Sequence, residues 1–264
     1  MPTTPNAERV DEDALVARLR AAGCVFAEDE AALLVATGAR GTELEALVVR
    51  RVGGEPLELV LGWAEFDGLR IRVAEGVFVP RRRSELLVRL GAELLAVLSA
   101  PVVVDLCCGT GALGAAIARR LPTAVVHAAD LDPDAVVCAR LNLPAERVHA
   151  GDLFDALPDE LRGRVDLVLV NAPYVPTDAI ALMPPEARDH EHRIALDGGT
   201  DGLDLHRRIA TAAPTWLTEG GSLVIETSER QSATTCALLE AAGLTTAVVR
   251  DDTRDATAVL AQAT

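Results

Sequence analysis

The sequence predicts an α/β protein: a doubly wound, mostly parallel seven-stranded sheet, preceded by a small N-terminal helical domain and a connecting β-hairpin. Three observations carry this. From about residue 84, apolar runs of Val, Ala and Leu alternate with helical patterns, as in a sheet covered on both faces. Asp105, Asp130, Asp152 and Asn171 fall at the ends of successive apolar runs, where such sheets bind ligands. A glycine-rich segment follows the first of those runs and opens a helix.

The elements follow in order. Residues 11–52 repeat a helical spacing three times, in DEDALVARLRAAG, EDEAALLVATGARG and TELEALVVRRVGG, with stops at Gly23, Gly38 and Gly53. Over 57–80 the period becomes alternating, with a turn at Asp67-Gly68, which predicts a hairpin. The chain therefore divides into a helical domain (1–56), a hairpin connector (57–80) and a sheet domain (81–264). In the last, strands are expected near 101–106, 124–130, 147–152, 165–171, 222–227, 245–250 and 256–262. Helices are expected near 84–98, 111–121, 133–142, 202–217 and 229–242.

Composition excludes several functions. Half of the 264 residues are hydrophobic and only 3% aromatic, so the core must be aliphatic. All 25 basic residues are Arg, and without Lys no phosphate-binding P-loop is possible. A net charge of −15 makes nucleic acid an unlikely direct substrate, because phosphate backbones need a basic stripe. The compact basic cluster Arg81-Arg82-Arg83 reads equally as a guide for an acidic partner or a solvated turn. Five irregularly spaced cysteines give neither a disulfide framework nor a zinc site. His190, Glu191 and His192 are adjacent and do not converge on one ion, so no metal is expected. The N-terminus lacks the apolar core of a secretory signal, and no apolar run reaches the ~18–20 residues of a membrane span, so a cytoplasmic protein is expected.

The segment DLCCGTGALG contains Gly109-x-Gly111-x-x-Gly114, and Asp130 lies about 20 residues on, as in a dinucleotide fingerprint. Asp105 argues for another cofactor. A carboxylate beside a helix N-terminus repels a pyrophosphate, whereas it attracts the ammonium and sulfonium of S-adenosylmethionine (SAM). Asp130 would then accept from the ribose hydroxyls, and Asp152 and Leu153 of GDLF would flank the adenine. This reading makes the sheet a class I SAM-dependent, Rossmann-like domain.

At the end of VDLVLVNAPYVP, Asn171-Ala172-Pro173-Tyr174 interrupts a buried strand with groups that do little for stability. Their chemistry suits a planar nitrogen acceptor. Asn171 Oδ1 and the Ala172 carbonyl can grip the two N–H bonds of an NH₂ group, and Tyr174 offers a face to pack on. Both acceptors bind more strongly as the nitrogen becomes positive, so they favour the transition state. The glycine turn DGGTDGLD (197–204) reads as structural, with Asp201 capping the next helix, although substrate contact is the other reading.

The ordered set of GEPLELVLGWAEFDGLRIRVAEGVFVPR (54–81), VVDLCCGTGALGAAIA (103–118), AADLDPDAV (128–136), GDLF, NAPY, MPPEARDHEHRIALDGGTDGLDLHRRI (183–209) and EGGSLVIE (219–226) resembles one family. It is the protein-(glutamine-N5) methyltransferases acting on peptide chain release factors, the HemK/PrmC type, whose motif is N-P-P-Y. The resemblance implies that Cys107, Gly109, Thr110 and Gly111, with Asp130 and Leu153, contact SAM, and Asp105, Leu131, Asp152 and Asn171 complete the expected cofactor site. It further implies that Asn171 through Tyr174 hold the glutamine of a Gly-Gly-Gln loop, and that the N-terminal helices recognise the substrate protein. Departures mark a divergent member: Ala172 replaces a proline, a P-R-P-x-T-E segment is here Pro80-Arg81-Arg82-Arg83-Ser84-Glu85, His192 stands after Glu191 where proline is usual, Cys107 replaces a glycine, and the C-terminal VVRDDTRDATAVLAQAT lacks the usual basic, glycine-containing ending. The alternatives are methylation of an adenine or small-molecule amine, and a SAM-binding paralogue without activity.

Overall fold

The computed structural model describes residues 10–264. The chain forms two compact units, divided between Trp63 and Ala64.

The first unit is helical: α1 (Glu12–Ala21), α2 (Ala27–Ala36), α3 (Thr42–Val52) and α4 (Leu57–Leu61). Asp11 caps α1 by accepting from the Ala14 N–H at 3.1 Å. Leu15, Leu19, Leu34, Leu44, Val48 and Val60 form its core. The alternation at 57–61, expected as strand, is a single helical turn. Pro56 opens it, and Gly62, at φ 76°, ends it in the left-handed conformation that glycine adopts without strain. Five residues were too few for period alone to separate strand from helix.

The hairpin is correspondingly shorter than the predicted 57–80, comprising β1 (Trp63–Phe66) and β2 (Leu69–Arg72). Phe66 and Ile71 are buried in the core of the second unit, so the hairpin residues from Ala64 onward pack with the sheet rather than merely lead to it. Asp67 in its turn pairs with Arg119 and Arg120, whose guanidinium groups hold its carboxyl below the usual range, Arg120 foremost.

The second unit continues with α5 (Glu85–Leu95), β3 (Val102–Leu106), α6 (Ala112–Arg120), β4 (Val125–Asp130), α7 (Pro133–Ala139), β5 (Val148–Ala150) and β6 (Val165–Val170). A short α8 (Pro185–His190), α9 (Asp204–Ala212), β7 (Leu217–Glu226), α10 (Glu229–Ala241), β8 (Thr245–Asp251) and β9 (Ala256–Gln262) complete it. The sheet has seven strands in the order β5-β4-β3-β6-β7-β9-β8. Pairings are parallel except for β7 with β9 and β8 with β9.

Strand alternation explains the two cores. Val103, Leu167 and Leu169 face one side with Leu86, Leu87 and Leu90 of α5 and Ile117 of α6. Val104, Leu106, Val168 and Val170 face the other with Ile209 of α9 and Leu239 of α10. Successive residues of β3 and β6 thus serve opposite faces, and all but Asp105 and Asp166 are apolar because both faces are covered. From β3 the chain steps outward to β4 and β5, then returns to place β6 on β3's other side. The carboxyl ends there form the crevice where such sheets bind ligands.

Candidate active site

A cavity of about 610 Å³ opens at those carboxyl ends. Of the residues expected at the site, Cys107, Gly109, Thr110, Asp130, Leu131, Asp152, Leu153 and Asn171–Tyr174 line it; Asp105 and Gly111 do not.

The glycine loop forms one wall. Cys107, Gly109 and Gly111 all have positive φ, at 57°, 53° and 75°. For Cys107 that conformation is strained, and the usual glycine would relieve it. Burial pushes the Cys107 and Cys108 thiols well above their ordinary values, so they remain protonated and serve no nucleophilic role. Asp130 holds the loop: its Oδ2 accepts from the Gly109 N–H at 2.8 Å and its Oδ1 from the Asp132 N–H at 2.9 Å.

Asp105 has a different position from the one expected. It is fully buried beneath the loop, where Oδ2 accepts from the Gly114 N–H at 2.8 Å, in the first turn of α6. It therefore caps α6 and takes a backbone donor that a pyrophosphate would need. Burial, opposed by the Gly114 hydrogen bond and reinforced by Asp130, pushes its carboxyl up to about 8. This folded-state value lies above an unfolded value of about 3.9. Asp105 thus stabilises the native state fully at low pH and loses that contribution as pH rises towards 8. The expected result is an unfolding free energy that falls by at most about 1.4 kcal/mol per pH unit from this group, and a shallower slope in Asp105→Asn. Parallel denaturation profiles of the two proteins between pH 5 and 8 would refute it.

The cavity fits SAM. A Cβ built on Gly109 meets nothing nearer than Phe78 Cβ at 3.9 Å, so this glycine leaves a hollow for a ligand. Asp130, Asp132 and Asp152 supply three carboxylates beside it, which favour a cationic ligand over a phosphate. Asp152 also accepts from Arg208 at 2.7 Å.

The other end holds NAPY. The Asn171 Nδ2 group donates to Ser84 Oγ at 3.1 Å, and the Ser84 hydroxyl donates to Glu226 Oε2 at 2.6 Å. Glu226 Oε1 accepts from the Tyr174 hydroxyl and from Arg83 Nε, each at 3.0 Å. Burial, then the Glu226 charge, pushes the Tyr174 phenol above its ordinary value against the pull of Arg83, so it stays an O–H donor. Ala172 is 1% exposed, and no backbone N–H among the described residues donates to its carbonyl, which leaves that acceptor available.

Segment 197–204 is a backing plate for this loop. Gly198 N donates to Val175 O at 2.9 Å, and Gln231 Nε2 to Tyr174 O at 3.0 Å. A Cβ on Gly202 would come within 2.3 Å of Tyr174 O, so only glycine allows the two backbones to meet. Asp201 accepts from the Leu203 N–H at 3.1 Å, in the turn before α9; Leu203 is itself the cap residue of α9 and carries no side-chain cap, so the expected capping by Asp201 is not formed, while Gly198, Gly199 and Asp204 line the cavity.

Sequence reasoning missed Ser84 and Glu226. Glu226 had the available signal: it ends an apolar run, like Asp105 and Asp130. The three-arginine cluster is not a free basic patch, since Arg81 pairs with Glu191 at 2.5 Å and Arg83 with Glu226. His192 belongs to an ion pair, with Nδ1 2.7 Å from Asp132 Oδ2. Asp132, Asp134 and His192 have ligand-type atoms within 4.8 Å of one another. Within that cluster His192 is tied to Asp132, and its ring lies against Gly76.

Comparison with known proteins adds to this geometry. Residues 69–183 match the family described as "Methyltransferase small domain". A release factor glutamine methyltransferase of Streptomyces coelicolor is 41% identical over 70% of this chain and 67% of its own length. A 4-amino-L-phenylalanine/4-methylamino-L-phenylalanine methyltransferase of Streptomyces pristinaespiralis is 38% identical over 74% of this chain and 69% of its own. The T. Thermophilus 16S rRNA methyltransferase RsmC, solved with AdoMet and guanosine, shares the fold: its TM-score is 0.54 and its identity 21%, over 76% of this chain and 50% of that one.

Proposed function

The chain belongs to the release factor glutamine methyltransferase family, and from that premise we propose that it methylates the side-chain amide N5 of a protein glutamine in the Gly-Gly-Gln loop of a peptide chain release factor. The observation that carries this reading is the orientation of Asn171: its NH₂ faces Ser84, which leaves Oδ1 as an acceptor on the cavity wall.

Bound SAM supplies an electrophilic methyl group on a sulfonium. Residues of the Cys107–Thr110 loop, Asp130 and Leu153 would hold it at the glycine end. At the other end, Asn171 Oδ1 and the Ala172 carbonyl accept the two N–H bonds of the glutamine amide. The amide lone pair is delocalised, and this grip holds the NH₂ in the geometry from which it can attack. As the nitrogen gains positive charge both hydrogen bonds strengthen, which is stabilisation specific to the transition state. Tyr174, its hydroxyl fixed by Glu226, keeps its ring as a wall for the planar amide. No general base is needed beforehand, and the surplus proton leaves to water.

Pro173 maintains the Ala172 carbonyl, because the residue before proline is biased to extended geometry. The first unit is assigned to recognition of the substrate protein; its exposed Val25, Phe26 and Val49 offer apolar contact. Release factors work in the cytoplasm, which is where we place the protein. Among the described residues no helix is long and apolar enough to cross a membrane.

The test uses methyl-labelled SAM with the organism's release factors, each beside a Gln→Ala version. Label on the loop glutamine, located by peptide mass spectrometry and absent from the Ala version, is the expected result. Calorimetric SAM binding without label would overturn the substrate assignment and turn attention to free arylamines, the acceptor class for which the S. pristinaespiralis relative is named. A free loop peptide should be labelled far more slowly than the whole factor; equal rates would remove the recognition role of the first unit.

A further inference from the structure

We propose that Glu226 and Ser84 are positioning residues that lock the Asn171 amide with its oxygen, and not its nitrogen, towards the methyl acceptor. The inference rests on the assignment of Asn171 to the acceptor site.

A primary amide has two ends of nearly equal shape and opposite polarity. Rotation of the Asn171 amide by half a turn would exchange acceptor for donor. In that state its NH₂ would face the NH₂ of the substrate, and the grip described above would become a repulsion. Something must therefore choose the orientation, and the hydrogen bonds provide it.

A hydroxyl has one proton to give. That of Ser84 is committed to Glu226 Oε2 at 2.6 Å. Ser84 Oγ then has only lone pairs to offer, so the group 3.1 Å away on Asn171 must be Nδ2. The choice of Oδ1 as the outward atom is thus made two residues away, by a carboxylate that can only accept. Glu226 is 1% exposed and Ser84 is 3% exposed, so bulk water has little access to replace either contact. Arg83 and Tyr174 occupy the other carboxylate oxygen, Oε1, each at 3.0 Å. One buried carboxylate therefore orders both the amide that grips the substrate and the ring beside it. Pairing with Arg83 also keeps that carboxylate from facing the cavity as an uncompensated charge.

These three side chains come from distant parts of the sequence. Ser84 sits immediately before α5, Asn171 follows β6, and Glu226 ends β7. No local turn requires a serine to meet a glutamate here, and a purely apolar contact would pack the site without setting polarity.

The experiment measures kcat and KM for the release factor, calorimetric SAM affinity and thermal midpoint in Ser84→Ala, Ser84→Thr, Glu226→Gln, Asn171→Ala and the Ser84→Ala/Asn171→Ala double variant. Ser84→Ala frees the amide to turn, and kcat should fall about 10–100-fold, less than deletion of a direct contact. SAM affinity should remain within about twofold. Ser84→Thr keeps the hydroxyl and should restore most of kcat. Glu226→Gln lets an NH₂ face Ser84 and should lower kcat as Ser84→Ala does. The decisive reading is the double variant. If Ser84 acts through Asn171, adding Ser84→Ala to Asn171→Ala costs no further activity, which a general structural loss would not reproduce. Wild-type kcat in Ser84→Ala, or a full multiplicative loss in the double variant, overturns the proposal while leaving the acceptor assignment intact. Wild-type kcat in Asn171→Ala instead removes the acceptor assignment and the proposal with it.

Discussion

Asn171→Ala is expected to lower kcat for release-factor methylation by about 10²–10³-fold, the usual cost of deleting one preorganised polar contact to a transition state. SAM affinity should change little, because the loop that forms the cofactor wall is anchored by Asp130 and not by Asn171. The separation follows from geometry. The Asn171 side chain is bound to Ser84 on the acceptor side of the cavity, and its removal leaves the Ser84–Glu226 and Tyr174–Glu226 contacts in place. Single-turnover transfer from labelled SAM, run beside calorimetry on the same preparation, reads the two effects separately. If SAM binding collapses in parallel with activity, Asn171 is part of the cofactor site and the gripping role assigned to it is wrong.

The same comparison of groups shows what the sequence could disclose. Strand ends were legible because β3, β4 and β6 are mostly apolar and a carboxylate or amide stands at or just past the end of each, at Asp105, Asp130 and Asn171, where a covered sheet gives a polar residue little structural reason to exist. Helix stops at Gly23, Gly38 and Gly53 were legible because those breaks sit at or just beyond helices whose apolar spacing is clear. The role of Asp105 was not legible. Sequence places it at a strand end, yet only the fold shows that it turns under the loop to cap α6 instead of facing the cavity. Residues 57–61 were misread because one helical turn and one short alternating strand share a pattern, and the flanking Pro56 and Gly62 were the better guides. Ser84 and Glu226 lie 142 positions apart and become partners only when α5 and β7 meet the same end of the sheet, so spacing alone offered nothing.

Asp130→Asn should weaken SAM binding by about 10–100-fold, although the substitution changes one atom and almost no volume. Asp130 is placed to accept on both oxygens, from Gly109 N–H at 2.8 Å and Asp132 N–H at 2.9 Å. An asparagine can satisfy one of these; its NH₂ must then confront the other backbone donor. Either the Gly109 end or the Asp132 end of the wall is released, and both residues line the cavity. The remaining lone pairs of the carboxylate are also those available to ribose hydroxyls, so the loss has two sources that act in the same direction. Burial raises the Asp130 carboxyl above its ordinary value, with the Gly109 and Asp132 hydrogen bonds opposing that rise. Acidification should therefore weaken SAM binding in the wild type, as protonation turns one acceptor into a donor, and should do so less in Asp130→Asn. Calorimetry across pH 5 to 8 on both proteins checks both statements. Equal SAM affinity in the two proteins at neutral pH would show that the loop holds its shape without Asp130, and would move the ribose contact to another residue of the wall.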